Sequence, residues 1–403
     1  MPDGRGFFSS GKEIFCGNPG GLQRKAAQYD GKKAGRTASN GYEYGFSMLK
    51  EDPSMQVTFL IGNGFDLNLG LKTRYTDFYF PYSVAPEFDT TDLDILQFKT
   101  HLSEDYSHWA DFEQALGKHT KEPPLNEQDT LRKCLQDFKR QFAKYLRAEE
   151  DRIDFNACAD DMAKGFASCV FSHLDYLQPQ PQNAIRAAFS APNYMQTRSD
   201  TYHILTFNYT TVIDRLASHI DASDFPRSSL GQVIHVHGTH TAGMIMGVDS
   251  LDQVANPGLF TSPRQQRLLL KPLVNQQSGP DSDRRAWNCI RNSNEICIFG
   301  MSLGVTDAIW WRRIGKWLTE KPIRQLVIFS RNHNLDPLLP ESILDHQDSV
   351  QDRFFKQTEI PPENWDDFRD RVHIALNSDI FNLNPVFKVP LIGNPSSPAP
   401  AAQ

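Results

Sequence analysis

Six short runs of apolar, β-favouring residues punctuate the chain: Val57–Ile61, Ile204–Phe207, Val233–Val236, Ile296–Phe299, Leu326–Phe329 and Val372–Leu376. Within each run the apolar residues are nearly continuous, the pattern of strands covered on both faces of a parallel sheet. Gly, Asn or Ser follows several of them and helical patterning comes next, which is the grammar of a doubly wound α/β fold. The interval from about 84 to 200 carries little strand signal. Within it Leu131, Leu135, Phe138, Phe142, Tyr145 and Leu146 share one helical face, and residues 159–177 read as a second helix. The pattern predicts a helical insertion or cap between the first and second strands, its apolar stripe spent on core packing.

The ends break this pattern. Residues 1–54 hold ten of the 25 glycines and a slight basic excess, with neither helical nor strand period and no apolar stretch of a secretory signal. This segment is expected to be disordered, or an over-extension upstream of the folded part, since Met48 and Met55 stand just ahead of the first strand. A basic interaction arm is the functional alternative. The Pro- and Ala-rich end, from 391 to 403, reads as a flexible tail, which leaves 55–390 as the folded region. A length of 403 residues allows two or three units or one elaborated α/β domain. The net charge of −7 disfavours a direct nucleic-acid partner. No apolar run approaches the ~20 residues of a membrane helix, so no membrane association is expected and a cytoplasmic location is. Six cysteines without a CxxC pair make neither a disulfide framework nor a metal site.

In a doubly wound fold ligands bind beyond the carboxyl ends of the strands, so the residues just after each run carry the candidate chemistry. The first run opens into Gly62-Asn63-Gly64-Phe65-Asp66. A strand that ends in Gly-X-Gly before a helix brings backbone N–H groups to a phosphate, the glycines permitting positive φ and leaving room for ligand. The bland alternative is a tight turn with Asp66 as a helix cap. Asp66 repels phosphate but suits a ribose hydroxyl. The second run ends in Phe207-Asn208-Tyr209-Thr210, where Asn208 either holds a water or ribose hydroxyl or closes an Asx turn. The third gives His235-Val236-His237-Gly238. No partner lies at a metal spacing, so no metal is expected. His237 suits a general base because an ordinary imidazole titrates near neutral pH, whereas His235 reads as structural. The fourth gives Gly300-Met301-Ser302-Leu303-Gly304 and then Asp307, suited to phosphate and ribose contacts. The same string matches the Gly-X-Ser-X-Gly elbow of serine hydrolases, with His333, His346 and His373 downstream. In Trp109 to Glu113, either Glu113 faces the cleft or the segment docks the insertion on the sheet, and docking is the preferred reading.

Together, IGNGFDLNLGLKTRYTDF at 61–78, WADFE at 109–113, TFNYTTVIDRL at 206–216, HVHG at 235–238 and FGMSLGVTD at 299–307 resemble the bacteriophage abortive-infection family AbiH. The resemblance spans roughly 55–310. More distantly the same elements look like the sirtuin-like NAD-binding fold. The resemblance implies an α/β, Rossmann-like, mostly parallel sheet with a helical cap, and NAD or a related nucleotide as the ligand. Gly62, Asn63 and Gly64 would meet the diphosphate, Asp66 standing where sirtuins carry Ser. Asn208 and His237 would match the catalytic pair. Gly300 and Ser302, with Asp307 nearby, would match the second phosphate and ribose contacts, which counts against the hydrolase elbow. TFNYT lacks the Asp that follows Tyr in the sirtuin-like string, and the zinc-binding Cys module of true sirtuins is missing, which speaks against deacylation. The implied activity is hydrolysis of NAD to nicotinamide and ADP-ribose in phage defence, restrained until a phage-derived trigger arrives. A non-catalytic nucleotide sensor is the alternative and a serine hydrolase using Ser302 the third. A homo-oligomer is compatible with each.

Overall fold

The computed structural model describes residues 54–104, 109, 111–189, 199–277, 281–336 and 338–388. The expectations for the glycine-rich N-terminal segment and the Pro/Ala-rich tail therefore fall outside the described residues. All six apolar runs form strands: β1 (Gln56–Ile61), β2 (Asp200–Thr206), β3 (Ser228–His235), β4 (Glu295–Phe299), β5 (Gln325–Ser330) and β6 (Val372–Leu376). They make one sheet in the order β3-β2-β1-β4-β5-β6, and every neighbouring pair is parallel. This is the strand order of dinucleotide-binding folds, in which the reversal between β1 and β4 opens a crevice at the carboxyl ends.

The continuous apolar character of the strands follows from their position. Val57, Phe59, Ile61, Ile204, Cys297, Phe299 and Val327 belong to one core. Leu60, Leu205, Ile234, Ile296, Ile298, Leu326 and Ile328 belong to another on the opposite face, so the central strands are covered on both sides, while the edge strand β3 stays partly exposed. The short α1 (Gly64–Asn68) follows β1 directly. The first insertion then supplies α2 (Tyr75–Val84), α3 (Leu93–Glu104), α4 (Phe112–Lys118), α5 (Gln128–Glu150), α6 (Phe155–Phe171) and α7 (Pro179–Ala188). After β2 comes α8 (Val212–Ser218), and between β3 and β4 lie α9 (Pro263–Gln266), α10 (Lys271–Gln277) and α11 (Ser282–Asn292). Helices α12 (Ala308–Glu320) and α13 (Pro340–Gln357) follow β4 and β5.

The insertion is not one unit. Residues of α6, α7 and α8 join the core on the first face of the sheet, as crossover helices do. Those of α11, α12 and α13 cover the second. Helices α2–α5 instead build a third, aromatic-rich core. Leu131, Leu135, Phe138, Phe142 and Leu146, the stripe read from the sequence, are its spine on α5, and Phe112 stacks on Phe138 with ring centroids 4.1 Å apart. Met246, Val248, Val254, Phe260, Leu269 and Leu270, from the segment between β3 and α10, complete it. The cap is thus assembled from two distant stretches of chain, which no local periodicity reports. The five described cysteines are buried and unpaired. Among the described residues no helix is long and apolar enough to cross a membrane.

Candidate functional site

A cleft of about 920 Å³ lies between the cap and the carboxyl ends of the sheet, and residues at or just beyond the end of every strand line it. Gly62, Asn63, Gly64, Asp66, Asn208, His237, Gly300, Ser302 and Asp307 all line it, so the candidates read from four separate motifs meet in one place. Its size lies at the upper end of ligand pockets.

The glycines are needed for a reason other than the one expected. Gly62 and Gly64 do not adopt positive φ; a Cβ on Gly62 would lie 2.7 Å from the Gly300 carbonyl oxygen, and one on Gly64 would lie 2.4 Å from the Gly300 Cα. The loops after β1 and β4 therefore touch backbone to backbone. The Gly62 N–H donates to the Phe299 carbonyl and the Gly64 N–H to the Gly300 carbonyl, both at 2.9 Å. Those two N–H groups are spent on holding the loops together, and of these three glycines Gly300 alone, at φ 68°, uses the left-handed region. Asn63 is held by the Thr73 hydroxyl, which donates to its Oδ1 at 2.6 Å.

Asp66 is not a helix cap. It is 1% exposed, and its Oδ2 accepts from the Thr210 hydroxyl at 2.8 Å while Oδ1 has no partner. Burial pushes its carboxyl up to about 7, against the facing side chains of Thr210 and Asn208. Asn208 makes no Asx turn: it is 4% exposed, and both Oδ1 and Nδ2 are buried without a hydrogen-bond partner. A primary amide left so in a core costs several kcal/mol, roughly 1–3 per group, so such groups mark a place where a ligand or water belongs. Its backbone is fixed from both sides. His235, ending β3, meets the Asn208 carbonyl through Nδ1 at 3.2 Å and Asp214 through Nε2 at 2.6 Å, which makes it the structural histidine expected. Glu150, the last residue of α5, accepts from the Thr211 N–H at 2.7 Å and hydroxyl at 2.6 Å and meets His240 at 3.0 Å.

His237 corrects the sequence reading in its chemistry. Burial, reinforced by the neighbouring Lys271 charge, pushes its imidazole down to about 3 although Asp307 opposes this. It stays neutral at physiological pH and is not the near-neutral base that an unperturbed histidine suggests. Its Nε2 lies 3.4 Å from Asp307 Oδ1. Asp307 in turn accepts from the Lys271 ammonium at 2.9 Å, and Lys271 also donates to Glu113 at 2.8 Å. The Tyr75 and Tyr209 hydroxyls each lie 3.1 Å from the other Glu113 oxygen. Burial works against the Lys271 charge, yet Asp307 and Glu113 hold its pKa above the usual lysine value. Burial raises Glu113 despite Lys271, whereas Lys271 and His237 keep Asp307 below the usual carboxylate range against the same burial.

Trp109 and Phe112 pack inside the cap's own aromatic core, whereas Glu113 faces the cleft. Lys271 was not foreseen; its one signal is a charge closing the apolar run Leu268-Leu269-Leu270. Ser302 is exposed in the cleft, and no histidine bonds its hydroxyl among the described residues. His346 is engaged with Ser330 and Asn332, and His373 with Gln325 at the opposite end of the sheet. Away from the cleft, His173, Glu295 and Cys297 place three potential ligand atoms within 4.8 Å in the core, joined by a His173–Glu295 hydrogen bond of 2.9 Å.

No curated protein matches the chain. The family model described as bacteriophage abortive infection AbiH matches residues 58–329, from β1 to β5, a span that includes every motif facing the cleft. The chain belongs to the AbiH family of bacteriophage abortive infection.

Proposed function

We propose that this AbiH protein binds NAD in the cleft and hydrolyses it to nicotinamide and ADP-ribose, which would deplete the nucleotide during phage infection. One observation carries the reading: the paired orphan atoms of Asn208, buried beside the unpaired Asp66 Oδ1, at the reversal point of a dinucleotide-type sheet. These are donor and acceptor groups of the kind that recognise ribose hydroxyls and water. The distant sirtuin-like resemblance of the motifs supports the same ligand.

In the reaction the C1′–N bond breaks and its electron pair goes to the pyridinium nitrogen, which leaves as neutral nicotinamide. Water adds to C1′ and gives up a proton. Asn208 orients that water and the ribose. His237, neutral throughout, is a hydrogen-bond partner and too weak a base to hold the proton. Asp66, with a carboxyl at about 7, is the group suited to receive it. The ionised Asp307 near His237 favours the positive charge that develops on the ribosyl group. Because the Gly62 and Gly64 N–H groups are engaged, the diphosphate is left to the Asn63 amide nitrogen, the Ser302 hydroxyl and the exposed Arg74.

The test is nicotinamide release from NAD by the purified protein, with binding followed by thermal shift. Asn208→Ala is expected to lower the rate by about 100-fold or more, the scale of losing one preorganised polar group, while the fold is kept. An Asn208→Ala/His237→Ala double variant that still cleaves NAD at the wild-type rate would remove the mechanism.

A further inference from the structure

The cleft is asymmetric in charge. Toward β2 and the cap it ends on Asn208, His237, Glu113 and Asp307. Toward β5 and β6 its lining turns basic: Arg331 is the residue that follows β5, and Arg353 reaches in from α13. Both are exposed, and neither forms an ion pair among the described residues. Arg353 also borders a shallow recess with Asp345, Asp348 and Asp352, of which Asp352 is taken by Arg369 at 2.5 Å. The acidic residues that line the cleft itself are Asp66 on α1, Asp307 after β4, and Asp111 and Glu113 on the cap, so no carboxylate of the lining lies at the β5 end.

This asymmetry bears on the substrate, and the step rests on the nucleotide reading above. With the scissile ribose at Asn208 and His237 and the diphosphate over the β1 and β4 loops, an extended dinucleotide carries its adenosine half toward β5 and β6. An unmodified adenosine ribose offers two neutral hydroxyls there, which an Asp or Glu recognises; a phosphate on that ribose calls for arginine. Two guanidiniums at one end of the cleft, where the cleft lining itself holds no carboxylate, suit a phosphomonoester, which each can meet with its planar fork of donors. We infer that Arg331 and Arg353 form a phosphate subsite, and that the preferred substrate is a dinucleotide bearing a third phosphate on its adenosine ribose, NADP in place of NAD.

Calorimetric titration of the full chain with NADP and with NAD tests this, beside an Arg331→Ala/Arg353→Ala variant whose exposed substitutions leave the core intact. The wild type is expected to bind NADP about tenfold or more tightly than NAD, and the double variant to bring that ratio close to one. Nicotinamide release from the two dinucleotides should show the same change of preference. A wild type that binds both equally, or prefers NAD, overturns the phosphate subsite and leaves the nucleotide reading standing. A ratio that survives in the double variant also overturns it. A wild type that binds neither dinucleotide overturns the nucleotide reading and this inference with it.

Discussion

Asp66 and His237 line the same cleft, and burial moves them in opposite directions, the carboxyl up to about 7 and the imidazole down to about 3. Both shifts disfavour a charged side chain, but their consequences for stability carry opposite signs. Between about pH 4 and 7 the folded state keeps a proton on Asp66 that the unfolded chain releases, so this residue's contribution falls as pH rises. Between about pH 3 and 6.5 the unfolded chain protonates His237 while the folded state does not, so its contribution is lost as pH falls. Replacing Asp66 by Asn removes the first effect. Urea denaturation should show Asp66→Asn gaining stability over the wild type on going from pH 4 to pH 8, by on the order of a few kcal/mol. A difference between the two proteins that stays constant with pH would mean that Asp66 is ionised throughout. The same residue should set the activity profile: nicotinamide release is expected to rise through pH 7 in the wild type and to lose that limb in Asp66→Asn.

At the scale of elements, the site depends on two loops that approach each other more closely than side chains allow. Gly64 and Gly300 meet Cα to backbone, and the loops are pinned by the Gly62 and Gly64 amides. Gly64→Ala places a methyl 2.4 Å from the Gly300 Cα, so one loop must move. The expected cost is about 1–3 kcal/mol by chemical denaturation, together with weakened dinucleotide binding, because the displaced loops carry Asn63 and Ser302. Wild-type stability and binding in this variant would show that the loops yield freely. The Gly-X-Gly string was legible in the sequence as a turn beneath a ligand. The partner that makes the glycines necessary was not, since Gly300 lies more than two hundred residues away along the chain. Glu150 is a similar case: at the end of an amphipathic helix it reads as a solvated charge, yet it is buried and fixes the loop that presents Asn208.

Across the whole molecule the cap and the sheet are joined beside the cleft by a buried cation. Lys271, 2% exposed on α10, bridges Glu113 on α4 and Asp307 after β4. Removing the amine leaves two carboxylates without their counter-ion in a low-dielectric site. Lys271→Met is expected to lose about 3–5 kcal/mol in urea denaturation, and a second change, Glu113→Gln, to restore part of it. Equal stability in Lys271→Met and the wild type would place the ammonium outside the network. The chain alone determined the six strands and the helical stripe of α5, because sheets buried on both faces and helices buried on one face write their burial directly into residue order. It also placed Gly62, Asp66, Asn208, His237, Gly300 and Ser302 on strand ends, where parallel sheets put ligands. Only the tertiary structure decided that the cap joins two distant segments, that Glu113 lines the cleft with Lys271 bound to it, and that burial raises the Asp66 carboxyl while lowering the His237 imidazole. Each of these rests on burial by residues remote in sequence, and desolvation has no local signature along a chain.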